Sequence, residues 1–429
     1  MDKLIKPVSS LKGTIEVPGD KSISHRALIF GAMCDGDVSI KNLSTASDCA
    51  STTNCLRALG IEIIDESNKE TIVKGKGLHG FREPENILDA GNSGTTMRLL
   101  SGLLAGQPFY SILTGDGSLR DRPMGRIIDP LRLMGANINA RENDRLPPIT
   151  IIGGKLNNIS YRMPIASAQV KSAIMIGGLY CEGETAIIEK FQSRDHTERM
   201  LKYLGRDIST SDGEIIIMGG TLNPNDIIVP GDISSAVFFI VAALLTEKSE
   251  IELQNVGLNE TRTGFLAALE KMGADIKIES TGANNEEPFG NILVKSANLK
   301  SIEAGAENIP SMVDEIPLLA LAATQAEGTT IIRGAQELRF KESDRLAGIA
   351  SQLNRIGATV IEQPDGLIIE GPTPLMGGTV DSFGDHRLAM ALTIAGLIAE
   401  GETIIKNAES VSISFPGFFE NLRQLQDRF

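Results

Sequence analysis

The sequence has few of the residues that build the commonest reactive centres. It holds four cysteines, Cys34, Cys49, Cys55 and Cys181, with no CxxC pair and no paired framework. That argues against a disulfide-stapled secreted fold and fits reduced thiols of a cytosolic protein. No cysteine falls in a helix-start cluster, so a thiolate nucleophile is not suggested. The four histidines, His25, His79, His196 and His386, are scattered. No metal-ligand spacing results, and no metal is expected. Long apolar runs are missing too. The longest, Ala236 to Leu245, falls well short of the roughly 20 residues of a membrane span and reads as a buried helix. The first residues, MDKLIKPVSSLKG, hold no apolar core of signal-peptide length, so a cytoplasmic location is expected. Basic charge is in deficit: 41 Lys and Arg against 55 Asp and Glu give a net charge of −14. Nucleic acid is therefore not an expected partner, and an anionic substrate must meet a local basic cluster.

What the sequence does hold is length and repetition. A chain of 429 residues exceeds one hydrophobic core and implies two or three domains. Its 44 glycines suit many tight turns. The phrase LRALGIEI (Leu56 to Ile63) recurs as LRLMGANI (Leu131 to Ile138), LKYLGRDI (Leu201 to Ile208), LEKMGADI (Leu269 to Ile276) and LNRIGATV (Leu353 to Val360), with a degenerate NLRQLQ near the C-terminus. Leucines at helical spacing run into a glycine suited to the left-handed position past a helix end. A β-prone residue follows. The spacing, roughly 70 residues, suits a compact α/β subdomain better than a solenoid repeat. A second series runs in phase: GDKSISHRALIFGA, GNSGTTMRLLSGLLAG, SAQVKSAIMIGGL, GDISSAVFFIVAALL, VDEIPLLALAAT and GDHRLAMALTIAGL. These predict six helices with small polar or acidic N-caps, buried on nearly every side. Each unit reads as strand, buried helix, strand, second helix and closing strands.

The unusual polar residues gather at those helix starts, where free N–H groups and the positive dipole end favour anions. Lys21, Ser22 and Arg26 open the first. Basic groups there oppose the dipole, which an anion held by both Lys21 and Arg26 would relieve. Gly94, in Asn92 to Arg98, allows close backbone approach of a ligand, and this segment carries neither a P-loop nor a GxGxxG pattern. Arg122 precedes Pro123 and is held extended. Ser167 and Gln169 offer neutral hydrogen-bonding groups. Ser193 to Glu198, taken alone, reads as a cap. Asp314 and Glu315 open the fifth helix, Lys341-Glu342-Ser343-Asp344-Arg345 reads in isolation as a solvated face with (i, i+4) pairing, and Arg387 needs a partner before a buried helix. Basic groups plus a few carboxylates fit a reaction between two anionic metabolites.

Together the phrases GDKSISHR, GNSGTTMR, DRPMGR, SAQVKSA, SRDHTE, VDEIP, KESDR and GDHR, in that order, resemble the 5-enolpyruvylshikimate-3-phosphate synthase family over essentially the whole chain. The resemblance implies an α/β fold: a two-domain inside-out α/β barrel. Each domain would hold three βαβαββ units, with buried helices pointing at the interdomain cleft. It places one domain at 20–231 and the other at 1–19 plus 232–429. It implies enolpyruvyl transfer from phosphoenolpyruvate to shikimate 3-phosphate, with release of phosphate, on the way to chorismate, without a cofactor and as a monomer. Lys21, Ser22, Arg26, Ser167, Gln169 and Lys341 would hold shikimate 3-phosphate. Lys21, Gly94, Arg122, Arg345 and Arg387 would hold phosphoenolpyruvate. Asp314 would take the proton from the 5-hydroxyl, Glu342 would protonate and later deprotonate the methylene carbon, and Lys21 joins them in the catalytic set. Ala168, Leu99, Glu337 and Ser414 depart from one branch of the family and resemble the other, found in many bacteria. The herbicide glyphosate occupies the phosphoenolpyruvate site in this family, and Gly94 leaves room for it.

Of three rivals, an RNA-end-processing relative of similar fold predicts a basic surface, contrary to the net charge of −14, and two others remain. The sister transferase acting on UDP-N-acetylglucosamine shares the fold, but carries Lys-Asn where Lys21-Ser22 stand and usually a loop cysteine, which Arg120 to Arg126 lack. A non-catalytic metabolite-binding protein of the same fold predicts loss of a carboxylate or arginine, and none of the set is missing.

Overall fold

The structure, a computed structural model, describes residues 1–66 and 69–426. The chain divides into two compact units. One comprises Gly19–Val229 with Ala283–Glu287; the other comprises Met1–Pro18, Pro230–Gly282 and the chain from Pro288 on.

The first unit holds three buried helices, α1 (Lys21–Met33), α2 (Gly94–Ala105) and α3 (Ala168–Gly178). Three four-stranded sheets accompany them. Each follows one plan. Tyr110–Thr114, for example, pairs in parallel with Leu88–Asp89 across α2 and antiparallel with Leu146–Ile152, which pairs antiparallel with Asn137–Ala140. The parallel pair needs a crossover, which the buried helix supplies. In the first sheet the parallel partner of Asp37–Lys41 is Ile227–Ile228, from the far end of the unit.

The second unit repeats the plan around α4 (Ile233–Leu245), α5 (Ile316–Thr324) and α6 (His386–Ile398). Here the N-terminal strands complete the sheets: Lys12–Glu16 pairs in parallel with Glu250–Gly257, and Lys3–Ile5 pairs antiparallel with Thr403–Lys406. The sixth sheet has three strands.

Local chemistry explains the helix boundaries. Side chains of Asp20, Ser93, Ser167, Asp232 and Asp385 cap α1, α2, α3, α4 and α6 by accepting from first-turn amides. The fifth helix departs from expectation. Glu315 sits at its N-cap without a capping bond, and the chain enters through the 3₁₀ turn Val313–Glu315 with Pro317 in the first turn. The recurring glycines Gly60, Gly135, Gly205, Gly273 and Gly357 all lie at positive φ past the second helices.

The division differs from the expected 20–231 and 1–19 plus 232–429 by a residue or two at the crossings, where Gly19 counts with the first unit and Pro230 and Gly231 with the second, and at one further place. The hairpin tip Ala283–Glu287, expected with 232–429, counts with the first unit. The cause is hydrogen bonding. Asn285 exchanges two bonds with the backbone of Ile228, at 3.1 and 2.7 Å, and Glu287 Oε1 lies 2.7 Å from His196 Nδ1.

Helices α2 and α3 approach closely at Gly102, where a Cβ would lie 2.3 Å from the Ala173 carbonyl oxygen. That neighbour is backbone and cannot swing aside. Gly102→Ala should therefore lose stability by about 1–3 kcal/mol from overpacking, despite a helix-propensity gain of up to about 1 kcal/mol. Urea unfolding reads the net; a variant as stable as the parent would show that the helices part freely.

Candidate active site

In the first unit the starts of α1, α2 and α3 carry the basic groups. Arg26, on α1, is only 2% exposed. Its Nε donates to Thr197 Oγ1 at 2.7 Å, Nη1 to the Ser22 carbonyl at 2.8 Å and Nη2 to Ser172 Oγ at 2.7 Å. All three acceptors are neutral. Burial lowers its pKa to about 10, an effect that Glu198 and Asp20 oppose and Arg194 reinforces. A buried guanidinium held by neutral groups is expensive unless an anion joins it. Lys21 does not share those partners. Its Nζ pairs with Asp48 at 2.8 Å.

A second cluster surrounds Gly94. A Cβ there would lie 3.1 Å from Arg98 Nη1 and 3.6 Å from Arg122 Nη1. Arg98 donates to Gln169 Oε1, and Gln169 Nε2 donates to Thr95 Oγ1 at 2.8 Å. Arg122 Nη2 donates to Asn92 Oδ1 at 2.6 Å. Two guanidinium groups thus flank the bare backbone of a helix start. Ser167 caps α3 and is half-buried.

Behind these lies a fully buried ion triad. Lys171 Nζ is 2.9 Å from Glu189 and 2.6 Å from Glu198. Burial works against its charge, yet the two carboxylates hold its pKa above the ordinary value.

In the second unit Arg345 is the hub. It is 2% exposed. Its Nη1 lies 3.2 Å from Asp314, Nη2 2.5 Å from Glu342 and Nε 2.8 Å from Asp385. Burial opposes the charge, but Asp385, Glu342 and Asp314 outweigh it and raise the pKa. Lys341 Nζ also reaches Asp314, at 3.3 Å. The KESDR segment is therefore no solvated face: its two cations converge on Asp314, and its internal pair is Arg345 with Glu342 at i, i+3. Asp385 does double duty. Its Oδ2 accepts from Arg345 and its Oδ1 accepts the amide of Arg387 at 2.8 Å. Arg387, 6% exposed, donates Nη1 to the Ser234 carbonyl at 2.9 Å and lies 5.8 Å from the Phe238 ring. Among the described residues no carboxylate forms an ion pair with it, so it resembles Arg26 in readiness for an anion. A hollow of about 590 Å³ beside the start of α6 is lined by Phe383, Gly384 and residues of the 407–413 segment.

Sequence reasoning missed Arg98, Ser172 and Thr197. Arg98 was visible in GNSGTTMR, one helical turn past Gly94. Thr197 is 171 residues from Arg26, and no local pattern joins them. All four cysteines are buried, and burial pushes the Cys34 and Cys55 thiols up to about 12. Among the described residues no group of three or more His, Cys, Asp or Glu could hold a metal ion, and no helix is long and apolar enough to cross a membrane.

Buried helices on a repeated α/β plan, with arginine and carboxylate clusters near helix starts, define a class of protein suited to binding anions. A family model described as EPSP synthase (3-phosphoshikimate 1-carboxyvinyltransferase) matches residues 5–422. A 3-phosphoshikimate 1-carboxyvinyltransferase of Thermodesulfovibrio yellowstonii is 52% identical over 99% of this chain and 100% of its own length. One from Bacillus thuringiensis is 49% identical, with 99% of each covered. A solved structure of EPSP synthase from Acinetobacter baumannii matches with a TM-score of 0.89 at 43% identity, covering 99% of this chain and 98% of that one. The chain belongs to the EPSP synthase family.

One group at the site makes a pH prediction. His25 on α1 is fully buried, with Nδ1 2.7 Å from Thr52 Oγ1. Burial lowers its pKa from 6.5 to about 3; Asp48 opposes this and Lys21 and Arg26 reinforce it. The folded ring stays neutral where the unfolded chain takes up a proton. This group's contribution is thus complete above pH 6.5 and declines as pH falls toward 3, by about 2 kcal/mol at pH 5. His25→Gln should flatten the fall in unfolding free energy between pH 7 and 5 by that amount. An unchanged slope would exclude His25 as its source.

Proposed function

We infer that the chain transfers the enolpyruvyl group of phosphoenolpyruvate to the 5-hydroxyl of shikimate 3-phosphate and releases phosphate. The family match over residues 5–422 carries the reaction. The grip of Arg345 on both Asp314 and Glu342 supports the roles given to those carboxylates.

Asp314 takes the proton of the 5-hydroxyl as its oxygen bonds to C2 of phosphoenolpyruvate. Glu342 delivers a proton to the methylene carbon, completing a tetrahedral adduct. The bond from C2 to the phosphate oxygen then breaks, phosphate leaves, and Glu342 recovers the proton from the methyl carbon. Cationic character at C2 is stabilised by the adjacent carboxylates. Arg122, Arg345 and Arg387 grip the carboxylate and phosphate of phosphoenolpyruvate, with Lys21 and the open backbone at Gly94. Ser22, Arg26, Ser167, Gln169, Lys21 and Lys341 hold shikimate 3-phosphate. Fixing both substrates replaces a costly bimolecular encounter. A monomer in the cytoplasm is the functional form of this reading.

Phosphate release on mixing protein, phosphoenolpyruvate and either acceptor tests it. Release is expected with shikimate 3-phosphate and not with UDP-N-acetylglucosamine; the reverse result moves the case to the sister enzyme. Glu342→Gln should lower turnover roughly 100-fold or more while leaving substrate affinity nearly intact. Collapse of affinity with turnover preserved would remove Glu342 from the chemistry. Gly94→Ala places a methyl group beside Arg98 and Arg122. It should raise KM for phosphoenolpyruvate about tenfold, a 1–2 kcal/mol steric cost, without loss of folding. An equal rise for shikimate 3-phosphate would reassign this helix start.

A further inference from the structure

Arg262 belongs to none of the clusters read from the sequence, yet it is 3% exposed. It lies in the loop ahead of the helix Gly264–Lys271, where the Asn259 side chain accepts the Thr261 amide at 2.9 Å and fixes the turn. Its Nη2 donates to Ser234 Oγ and lies 3.7 Å from Glu315 Oε1. Ser234 Oγ in turn donates to Glu315 Oε1. Glu315 is 2% exposed and directly follows Asp314 in the 3₁₀ turn Val313–Glu315.

That turn is therefore held from two directions. Asp314 faces Lys341 and Arg345, and Arg345 also faces Glu342 and Asp385. Glu315 faces Arg262, the one cation that forms an ion pair with it among the described residues. The Glu315 side chain does not cap its own helix, unlike the capping residues of the other five. Its Oε1 instead accepts from Ser234 Oγ. The carbonyl of the same Ser234 accepts from Arg387. One buried guanidinium thus reaches two site residues at second hand: Asp314 through Glu315, and Arg387 through Ser234.

We propose that Arg262 is a positioning residue. It balances the buried charge of Glu315, so that the neighbouring Asp314 keeps the electrostatic setting of a base, and it fixes Ser234 as the rest for Arg387. The assignment of Asp314 as base rests on the enolpyruvyl-transfer reading; the electrostatic link between Arg262 and Asp314 does not. Without Arg262, an unbalanced carboxylate one residue away makes ionisation of Asp314 harder. Without Glu315, the uncompensated guanidinium makes it easier.

The test uses the full chain labelled with carbon-13 at aspartate carboxyls. The Asp314 resonance is assigned by its loss in Asp314→Asn. In Arg262→Met the Asp314 carboxyl should titrate about one pH unit higher than in the parent. In Glu315→Gln it should titrate lower, and in Arg262→Met/Glu315→Gln it should return toward the parent. Arg262→Lys, which keeps the charge, should hold it near the parent. The opposite signs of the two single variants are a readout that loss of packing alone would not give, and Glu315→Gln keeps the test open if Arg262→Met fails to fold. Equal titration of Asp314 in the parent and in folded Arg262→Met or folded Glu315→Gln overturns the proposal. In parallel, the acid limb of kcat should move with the resonance. A parent that releases no phosphate sinks the transferase reading, whereas the resonance still decides the role of Arg262.

Discussion

Each of the six central helices is apolar on nearly every side, so polar chemistry is confined to its ends. At a helix start, unpaired backbone donors and the dipole already favour negative charge. Placing arginine there adds a second positive element to the first. In a folded protein without a ligand this arrangement is unfavourable, and the chain has to limit it. It does so in two ways. Arg345 is surrounded by three carboxylates, whereas Arg26 and Arg387 rest on hydroxyls and carbonyls.

The contrast separates duties within the second unit. Arg345 organises carboxylates: a single guanidinium fixes Asp314, Glu342 and Asp385 with different nitrogens, so the carboxylates proposed as base and acid share one support with the cap of α6. Arg387 has hydrogen-bonding capacity and charge still to give. Asp385 couples the two, because the carboxylate that orients Arg345 also caps the helix that carries Arg387. Losing that one side chain would disturb both grips. The first unit divides similarly. Lys171 is saturated by Glu189 and Glu198, while Arg26, held through Ser172 beside it, is left with neutral partners.

Much of this was legible because it is local. The glycine in each recurring helix-end phrase does sit at positive φ, since the chain must leave a helix and turn into a strand. Small polar or acidic caps are expected at the helix starts, and Asp20, Ser93, Ser167, Asp232 and Asp385 act as such caps. Pairings across long separations were not legible. KESDR read alone suggests pairing along its own helix, and only the fold brings Asp314, 31 residues from Arg345, against it. Ser172 and Thr197 become partners of Arg26 only when α1, α3 and the helix His196–Tyr203 pack together. The hairpin tip Ala283–Glu287 carried no pattern at all, because side-chain amides and carboxylates, rather than periodicity, decide where it belongs.

The one place where the repeat departs from its capping rule is informative for that reason. Five buried helices begin with a side chain that caps them; α5 begins with two acids that do not. Asp314 is turned to Lys341 and Arg345, and Glu315 to Ser234 and Arg262. A cap contributes about 1 kcal/mol, and Pro317, which has no amide hydrogen to satisfy, lowers the need for one. The helix start therefore gives up local stabilisation while its two carboxylates are held by groups from elsewhere in the unit. A segment that breaks a local rule in this way marks a site where function outweighs folding, and here it coincides with the residue proposed as the base.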